Sequence, residues 1–389
     1  MEVEPVFAGV GDTATGERPD RNWLELAVEA TLDALDDAGL APDDVDGLAV
    51  AGADDYMPSM LLQEYLGIQG VTFTEATEIG GSSFEGFVEK TAQAMAAGKT
   101  DVTVVAYGSS GRTGAGEQPR DGTEIHRPVD QFWRTSGLFT PPGAYALAAR
   151  RHMHEYGTTE EQLAEIAVST REWASMNPDA AHRDPITVED VLDSRPIAEP
   201  FNLLDCCLVS DGGGAVVLVS PEKAADLGVP RVRATGAATT HTHRQDLSQM
   251  PDLTTTGAVQ TGPEAFAEAG IDHDDVDVAE LYDSFTYTVL TTLEDLGFCE
   301  QGEGGAFVEG GTLGPGGDLP TNTQGGGLSY CHPGHFGVFV LIEAVRQLRG
   351  DYAAAGADER QVEDARTAVA HGTGAVLSSS STVVLERGD

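Results

Sequence analysis

Positive charge is what the sequence has least of. Its 389 residues carry 22 Lys and Arg against 64 Asp and Glu, a formal net charge of −42, and its lysines are Lys90, Lys99 and Lys223. A chain without a basic face cannot hold a polyphosphate backbone, which argues against nucleic acid as a partner. Aromatic residues are also few, at 6%, yet 40% of residues are hydrophobic and recur in Val, Ile and Leu runs, so the chain folds. Acidic residues crowd the turns and helix faces, as in Asp43-Asp44 and Glu160-Glu161. Such a surface reads as adaptation to high salt, where counterions screen self-repulsion.

Long apolar runs are missing as well: none reaches the ~18 residues of a membrane span. The start, Met1-Glu-Val-Glu, has neither the basic nor the apolar region of a secretory signal. Cysteine is limited to Cys206, Cys207, Cys299 and Cys331, without metal-ligand spacing. The expectation is free thiols in a reducing cytoplasm, with no membrane attachment. His152-x-His154 and His241-x-His243 lack a third ligand at fixed spacing, so no metal is expected. Gly212-Gly213-Gly214 lies between apolar strands without phosphate-loop spacing.

What is present is a repeat. Residues 34–46 (ALDDAGLAPDDVD) match 265–277 (AFAEAGIDHDDVD) at an offset of 231. In each copy a helix ends at a glycine suited to the left-handed conformation, Gly39 or Gly270, and an acidic turn leads into an apolar strand, 47–51 or 278–282. Amphipathic helices at 88–98 and 340–350 form a second pair, each behind a glycine-rich loop. Strands at 102–106 and 368–370 follow. Each half reads as strands and helices of a mainly parallel sheet, a duplicated α/β fold of two units, 1–225 and 226–389. The first unit is longer by an insertion at about 112–200, with a helix near 160–173, and insertions of this size shape binding sites.

Three glycine-rich loops are candidates for chemistry: Glu78-Ile-Gly-Gly-Ser-Ser83, Gly325 to Gly337, and His371-Gly-Thr-Gly374 between strands. Unpaired N–H groups at a helix start stabilise an anionic nucleophile or an oxyanion. Ser82, Ser83, Tyr282, Tyr330, His332 and His371 all fall at strand ends or helix starts.

Taken together, Glu280-Leu-Tyr-Asp-Ser-Phe285, Asn322-Thr-Gln-Gly-Gly-Gly327, His332-Pro-Gly, the 343–350 helix and His371-Gly-Thr-Gly374 resemble the thiolase superfamily, above all its archaeal and sterol-carrier-type branch. The resemblance covers nearly the whole chain. It implies a five-layered α-β-α-β-α fold, acyl-CoA substrates and no tightly bound cofactor. It also implies a homo-oligomer and a small OB-fold partner subunit carrying a zinc ribbon. Asn322, Gly326, Tyr330 and Gly374 are the positions it assigns to binding the CoA thioester. Arg112, Arg134, Arg150 and Arg151 of the insertion are candidates for the CoA phosphates.

The departures decide the chemistry. Most thiolases carry a nucleophilic Cys on the 80–83 loop and a second, acid/base Cys near 370–374, and this chain has neither. A gapless alignment places Gly81 under the first, and one residue of slippage places Ser82 there. Tyr282 stands where thiolases keep an Asn or His that holds a water in an oxyanion hole, and Cys331, which replaces a Gly, sits on the wrong loop for a substitute nucleophile. The leading expectation is a β-ketothiolase in which Ser82 or Ser83 attacks, His332 deprotonates it and His371 takes the α-proton. The alternative is a thiolase-fold aldolase that cleaves a 3-hydroxyacyl-CoA with Tyr282 and Tyr330 as acid and base. A third reading is a non-catalytic acyl-CoA-binding subunit.

Overall fold

The computed structural model describes residues 1–388 except 53–54, 116–130, 132, 139–140, 230–231 and 244–246, and the side chain of Arg134 is also outside the description. The strands are β1 (Val6–Asp12), β2 (Gly47–Val50), β3 (Phe73–Glu75), β4 (Val102–Ser109), a small pair β5 (Pro196–Ala198) and β6 (Phe201–Asn202), then β7 (Gly212–Val219), β8 (Val232–His241), β9 (Val278–Leu281), β10 (Thr367–Gly374) and β11 (Ser379–Arg387). The longer helices are α1 (Trp23–Ala38), α2 (Pro58–Leu66), α3 (Ser83–Ala96), α4 (Pro141–Tyr156), α5 (Glu160–Met176), α6 (Ala258–Ala269), α7 (Thr286–Leu296) and α8 (Gly337–Arg349).

The repeat seen in sequence is a repeat of structure. Helix α1 ends at Gly39 with φ 67° and α6 at Gly270 with φ 76°, left-handed positions where a side chain would be strained. A single 3-10 turn then leads into β2 or β9. In the first half β2 runs parallel to β4, β4 antiparallel to β7, and β7 antiparallel to β1. The second half repeats the scheme with β9 parallel to β10, β10 antiparallel to β11, and β11 antiparallel to β8. A single pairing, Val6 with Arg233, joins the two halves into the order β3-β2-β4-β7-β1-β8-β11-β10-β9.

Layering follows from which helix faces are apolar. Helix α1 packs on β1, β4 and β7, and α6 packs on β8 and β11, whereas α3 and α8 contact strands and each other in the middle. A central helix has no solvent face. Accordingly every residue of α8 from 337 to 345 is buried, including Glu343. Strands covered on both sides read as unbroken apolar runs, which is why 102–106 shows a strand without alternation.

Among the described residues the nine-stranded sheet has five antiparallel pairings and three parallel ones, so it is mainly antiparallel rather than mainly parallel. Three elements also differ from the sequence expectation. Helices α3 and α8 start earlier than 88 and 340, because the glycine-rich loops run directly into their first turns. His371-Gly-Thr-Gly374 is strand rather than loop: β10 pairs with β9 on one side and, through Gly374 with Ser379, with β11 on the other. Ladder pairing outweighs the low strand propensity of two glycines. Among the described residues no helix is long and apolar enough to cross a membrane.

Candidate active site

The glycine loops meet backbone to backbone. A β-carbon added at Gly337 would lie 1.9 Å from Gly81 O, one at Gly374 would lie 1.8 Å from Ile79 O, and one at Gly81 would lie 2.7 Å from Thr373 O. No side chain fits such distances, so the loops at 79–83, 332–337 and 371–375 converge because these positions are glycine. Helix α5 of the insertion packs against α7 and against the π-turn Gly326–Tyr330 that leads into the second loop.

Within this junction the serines bond the loop backbone and Ser379 rather than the histidines. Ser82 Oγ is fully buried, lies 3.0 Å from Ile79 O, to which it donates, and lies 2.7 Å from Ser379 Oγ. Ser83 Oγ accepts the Ile79 N–H at 3.0 Å. Among the described residues no hydrogen bond links Ser82 or Ser83 to His332 or His371; both hydroxyls hold the loop's own backbone.

The histidines are buried and therefore weak bases. Burial pushes His371 down to about 3, and its Nδ1 lies 2.9 Å from Thr382 Oγ1, its cross-strand neighbour on β11. The expectation of a His371 poised near neutral pH is thereby corrected: desolvation removes that poise. Burial first, and His335 second, push His332 down to about 4. Its neutral ring places Nε2 2.9 Å from Tyr282 Oη, which also lies 3.1 Å from Gly334 O. The pair can therefore pass a proton: His332 Nε2–H donates to the phenol oxygen while the phenol donates to Gly334 O, or the phenol donates to the ring.

Tyr282 fills the space beside Gly81, the position a gapless alignment puts under the usual thiolase Cys. A β-carbon added at Gly81 would lie 2.0 Å from Tyr282 Cε2, so a side chain at 81 and the phenol ring at 282 exclude one another. Asn322, held at φ 54°, accepts the Leu281 N–H at 2.7 Å through Oδ1 and so fixes the end of β9 that aims Tyr282. Gly326 packs on Asp283, whose carboxyl accepts the N–H groups of Gly327 at 2.6 Å and Leu328 at 3.1 Å. Burial pushes Asp283 up to about 7 despite those bonds. Asn322, Gly326 and Gly374 thus shape the loops.

Tyr330 leads to residues the sequence reading missed. Its hydroxyl donates to Asp12 Oδ2 at 2.5 Å, and Arg346 Nη2 donates to Asp12 Oδ1 at 2.5 Å. Burial alone would raise the Asp12 pKa, but the Arg346 charge and both hydrogen bonds hold it below its ordinary value. The Tyr282 and Tyr330 rings rest on one aromatic floor: Tyr282 meets Phe336 edge-on at 6.0 Å, Phe336 stacks on Phe339 at 5.5 Å, and Phe339 meets Tyr330 at 6.3 Å. Asp12 ends an apolar strand and Arg346 lies 334 residues away, so no local pattern relates them.

Glu85, in the first turn of α3, is also unforeseen. It is 1% exposed, neither carboxyl oxygen has a hydrogen-bond partner among the described residues, and it abuts Gly337 and Gly372. Burial raises its pKa well above the ordinary 4.5, so it is protonated where an unfolded chain would have it ionised. Its contribution to stability is complete below 4.5 and is lost as pH rises from there through the folded pKa. Glu85→Gln is expected to flatten that decline, read as urea midpoints across pH; an unchanged slope would show that Glu85 is not the group responsible.

Next to the loops lies a cavity of about 580 Å³ whose lining includes Arg112, Arg171, His182, Arg195, Cys207 and Ser210. Ser210 Oγ accepts the His332 N–H at 3.1 Å, so the cavity wall backs onto the His332 loop. Of the cations expected from sequence, Arg112 lines this cavity but pairs with Glu17 at 3.2 Å, Arg150 pairs with Glu199 at 3.5 Å and Arg151 with Glu155. The Arg134 side chain lies outside the described residues. Arg171 and Arg195 were missed because only the folded insertion brings them to the wall of one cavity. All four cysteines are free, and burial raises Cys331 well above the ordinary thiol range, which disfavours it as a nucleophile. His152 is a buried partner of Glu294 at 2.9 Å, and among the described residues no three His, Cys, Asp or Glu side chains group to hold a metal ion.

Comparison with known proteins agrees with this architecture. Residues 236–387 match the thiolase C-terminal domain-like family. A steroid side-chain-cleaving aldolase of Thermomonospora curvata is 39% identical over 90% of this chain and 92% of its own. A 17-hydroxy-3-oxo-4-pregnene-20-carboxyl-CoA lyase of Mycobacterium tuberculosis is 37% identical over the same shares, 90% and 92%. An acetyl-CoA acetyltransferase of Methanothermobacter thermautotrophicus is 33% identical over 97% and 98%. The solved structure described as an Ltp2-ChsH2(DUF35) aldolase superposes with a TM-score of 0.88 at 36% identity, covering 99% of this chain and 98% of that one. Repeat, layering and relatives point one way, and the chain belongs to the thiolase superfamily.

Proposed function

We propose that this protein is a thiolase-fold aldolase that breaks the Cα–Cβ bond of a 3-hydroxyacyl-CoA, releasing a ketone or aldehyde and a shortened acyl-CoA. The observation that carries the reading is the Tyr282 ring in the space a side chain at 81 would need. A thiolase requires a nucleophile there to accept the acyl group, whereas an aldol cleavage forms no acyl-enzyme and needs only a base, an acid and an oxyanion site. Similarity to the aldolase and the lyase, at 39% and 37%, against 33% for the acetyltransferase, supports this reading over the β-ketothiolase one.

In this scheme Tyr330 takes the proton of the 3-hydroxyl and the oxygen electron pair forms the carbonyl. The Cα–Cβ pair passes to the thioester as an enolate, and Tyr282, paired with neutral His332, hydrogen-bonds the enolate and returns a proton to Cα. The CoA moiety is substrate rather than resident cofactor, and its phosphates suit the arginine-lined cavity, since guanidinium groups match phosphate oxygens in geometry and charge. Arg171→Ala and Arg195→Ala are each expected to raise KM for the CoA thioester about tenfold with little change in kcat; unchanged KM in both would move the CoA site elsewhere. By analogy with the DUF35-containing aldolase structure, a small OB-fold partner completes the assembly.

The deciding assay gives the purified chain, alone and with a co-expressed DUF35-type partner, a 3-hydroxyacyl-CoA and, separately, acetoacetyl-CoA plus CoA. Carbonyl release from the first without thiolysis of the second is the expected result. Thiolysis alone would overturn the reading.

A further inference from the structure

We propose that Asp12 and Arg346 are positioning residues for proton transfer at Tyr330: Asp12 receives the Tyr330 proton as Tyr330 takes the substrate's, and Arg346 keeps Asp12 ionised to do so. The kinetic part rests on the aldolase reading; the network itself does not. Tyr330 is on the π-turn, Asp12 ends β1 of the opposite half and Arg346 is on the central helix α8, so the three meet only at the junction of the halves. The side chains of Asp12 and Arg346 are 12% and 26% exposed. Removing two charges from water to this extent carries a desolvation cost, and a pair of apolar residues would serve packing as well or better. With 22 cations in the whole chain, a guanidinium committed to this aspartate is a specific use of a scarce group.

The chemistry explains the use. Burial and the adjacent Asp12 charge both keep Tyr330 in its phenol form, so no standing phenolate is available as base. A phenol accepts a proton only as it gives one up. In one concerted step the substrate O–H proton moves to Tyr330 Oη and the Tyr330 proton moves to Asp12 Oδ2, while the Cα–Cβ bond breaks toward the thioester. Cα then takes a proton from Tyr282, and one proton passing from Asp12 back to Tyr282 resets the site. Other charged or titratable groups bearing on this trio are Arg360, Asp33 and Cys331 toward Asp12, Arg360, Tyr352 and Asp351 toward Arg346, and Arg360 and Cys331 toward Tyr330. Of these only Arg360, besides Arg346, is a cation.

The test compares Asp12→Asn, Arg346→Met and Arg346→Lys with the parent, each checked for folding by circular dichroism. In Arg346→Met the rising limb of log kcat against pH is expected to move up by roughly one to three units, since an opposite charge at this range depresses a carboxyl by that much. In Asp12→Asn kcat should fall about 10²-fold with KM within about twofold, whereas in Arg346→Met the fall is confined to pH below the shifted limb. Arg346→Lys should hold the limb near its parent position. Loss of kcat with the limb unmoved in both Arg346 variants would leave a merely structural role and overturn the proposal. A second readout needs no activity: near-ultraviolet difference titration of each variant against its Tyr330→Phe counterpart. Tyr330 should titrate at lower pH in Asp12→Asn than in the parent. If it does while no cleavage is seen in any form, the aldolase reading fails and the network stands; if it does not, the network is refuted whatever the kinetics.

Discussion

Tyr282→Phe and Tyr330→Phe are each expected to lower kcat for 3-hydroxyacyl-CoA cleavage by about 10²–10⁴-fold, the range for removal of a general acid or base. Both substitutions keep the ring in its aromatic floor of Phe336 and Phe339 and delete a single hydroxyl. Tyr282→Phe should cost stability on the scale of about 1 kcal/mol per lost buried hydrogen bond. Ser82→Ala and Ser83→Ala should leave kcat within a few-fold and act instead on stability. Their hydroxyls bond Ile79 and Ser379, and a net loss of about 1 kcal/mol per buried hydrogen bond is the scale. The opposite pattern, with a serine variant inactive and both phenylalanine variants active, would restore the acyl-enzyme reading and remove the aldolase. Gly81→Cys is a control from the other side. It restores the usual nucleophile but forces its β-carbon to within 2.0 Å of the Tyr282 ring, so it should destabilise the protein and gain no thiolase activity unless Tyr282 is also shortened.

Dilution of salt from molar to about 0.1 M is expected to unfold the protein, or to lower its Tm by tens of degrees, because screening lengthens from about 3 Å to about 10 Å. The size follows from the charge. Two like charges about 7 Å apart in water repel by about 0.6 kcal/mol; screening leaves under ~0.1 kcal/mol in molar salt and about half the repulsion at 0.1 M. Over several tens of neighbouring acidic pairs the difference reaches the ~5–15 kcal/mol that holds a domain folded. The strain is visible on α1, where Asp33 is raised first by partial burial and then by the charges of Glu29, Asp12 and Asp36. Differential scanning calorimetry across salt concentration checks it, and a flat Tm from 0.1 to 1 M would show that the acidic surface has another purpose.

The amino-acid sequence by itself determined the duplicated architecture. Helix stops at Gly39 and Gly270, acidic turns at 42–44 and 273–275, and doubly buried strands are local signals, each set by backbone conformation or burial within a few residues. It also singled out the loops that meet at the site, because glycines dense enough to allow backbone contact are visible in one dimension. The tertiary structure alone decided which side chains on those loops share protons. Ser82 and His332 are both at the expected loop ends, yet one turns to Ile79 and Ser379 and the other to Tyr282, a matter of side-chain direction at a junction of two halves. Asp12, Arg346, Arg171 and Glu85 were invisible for the same reason. The partners of Asp12, Arg346 and Arg171 and the glycines that cover Glu85 lie on other elements, and whether an isolated Asp or Glu is solvated surface or a buried proton holder depends on what the fold places over it. The poise of His371 was likewise beyond the sequence, since desolvation by the residues the fold packs around it, rather than residue type, sets where a buried imidazole titrates.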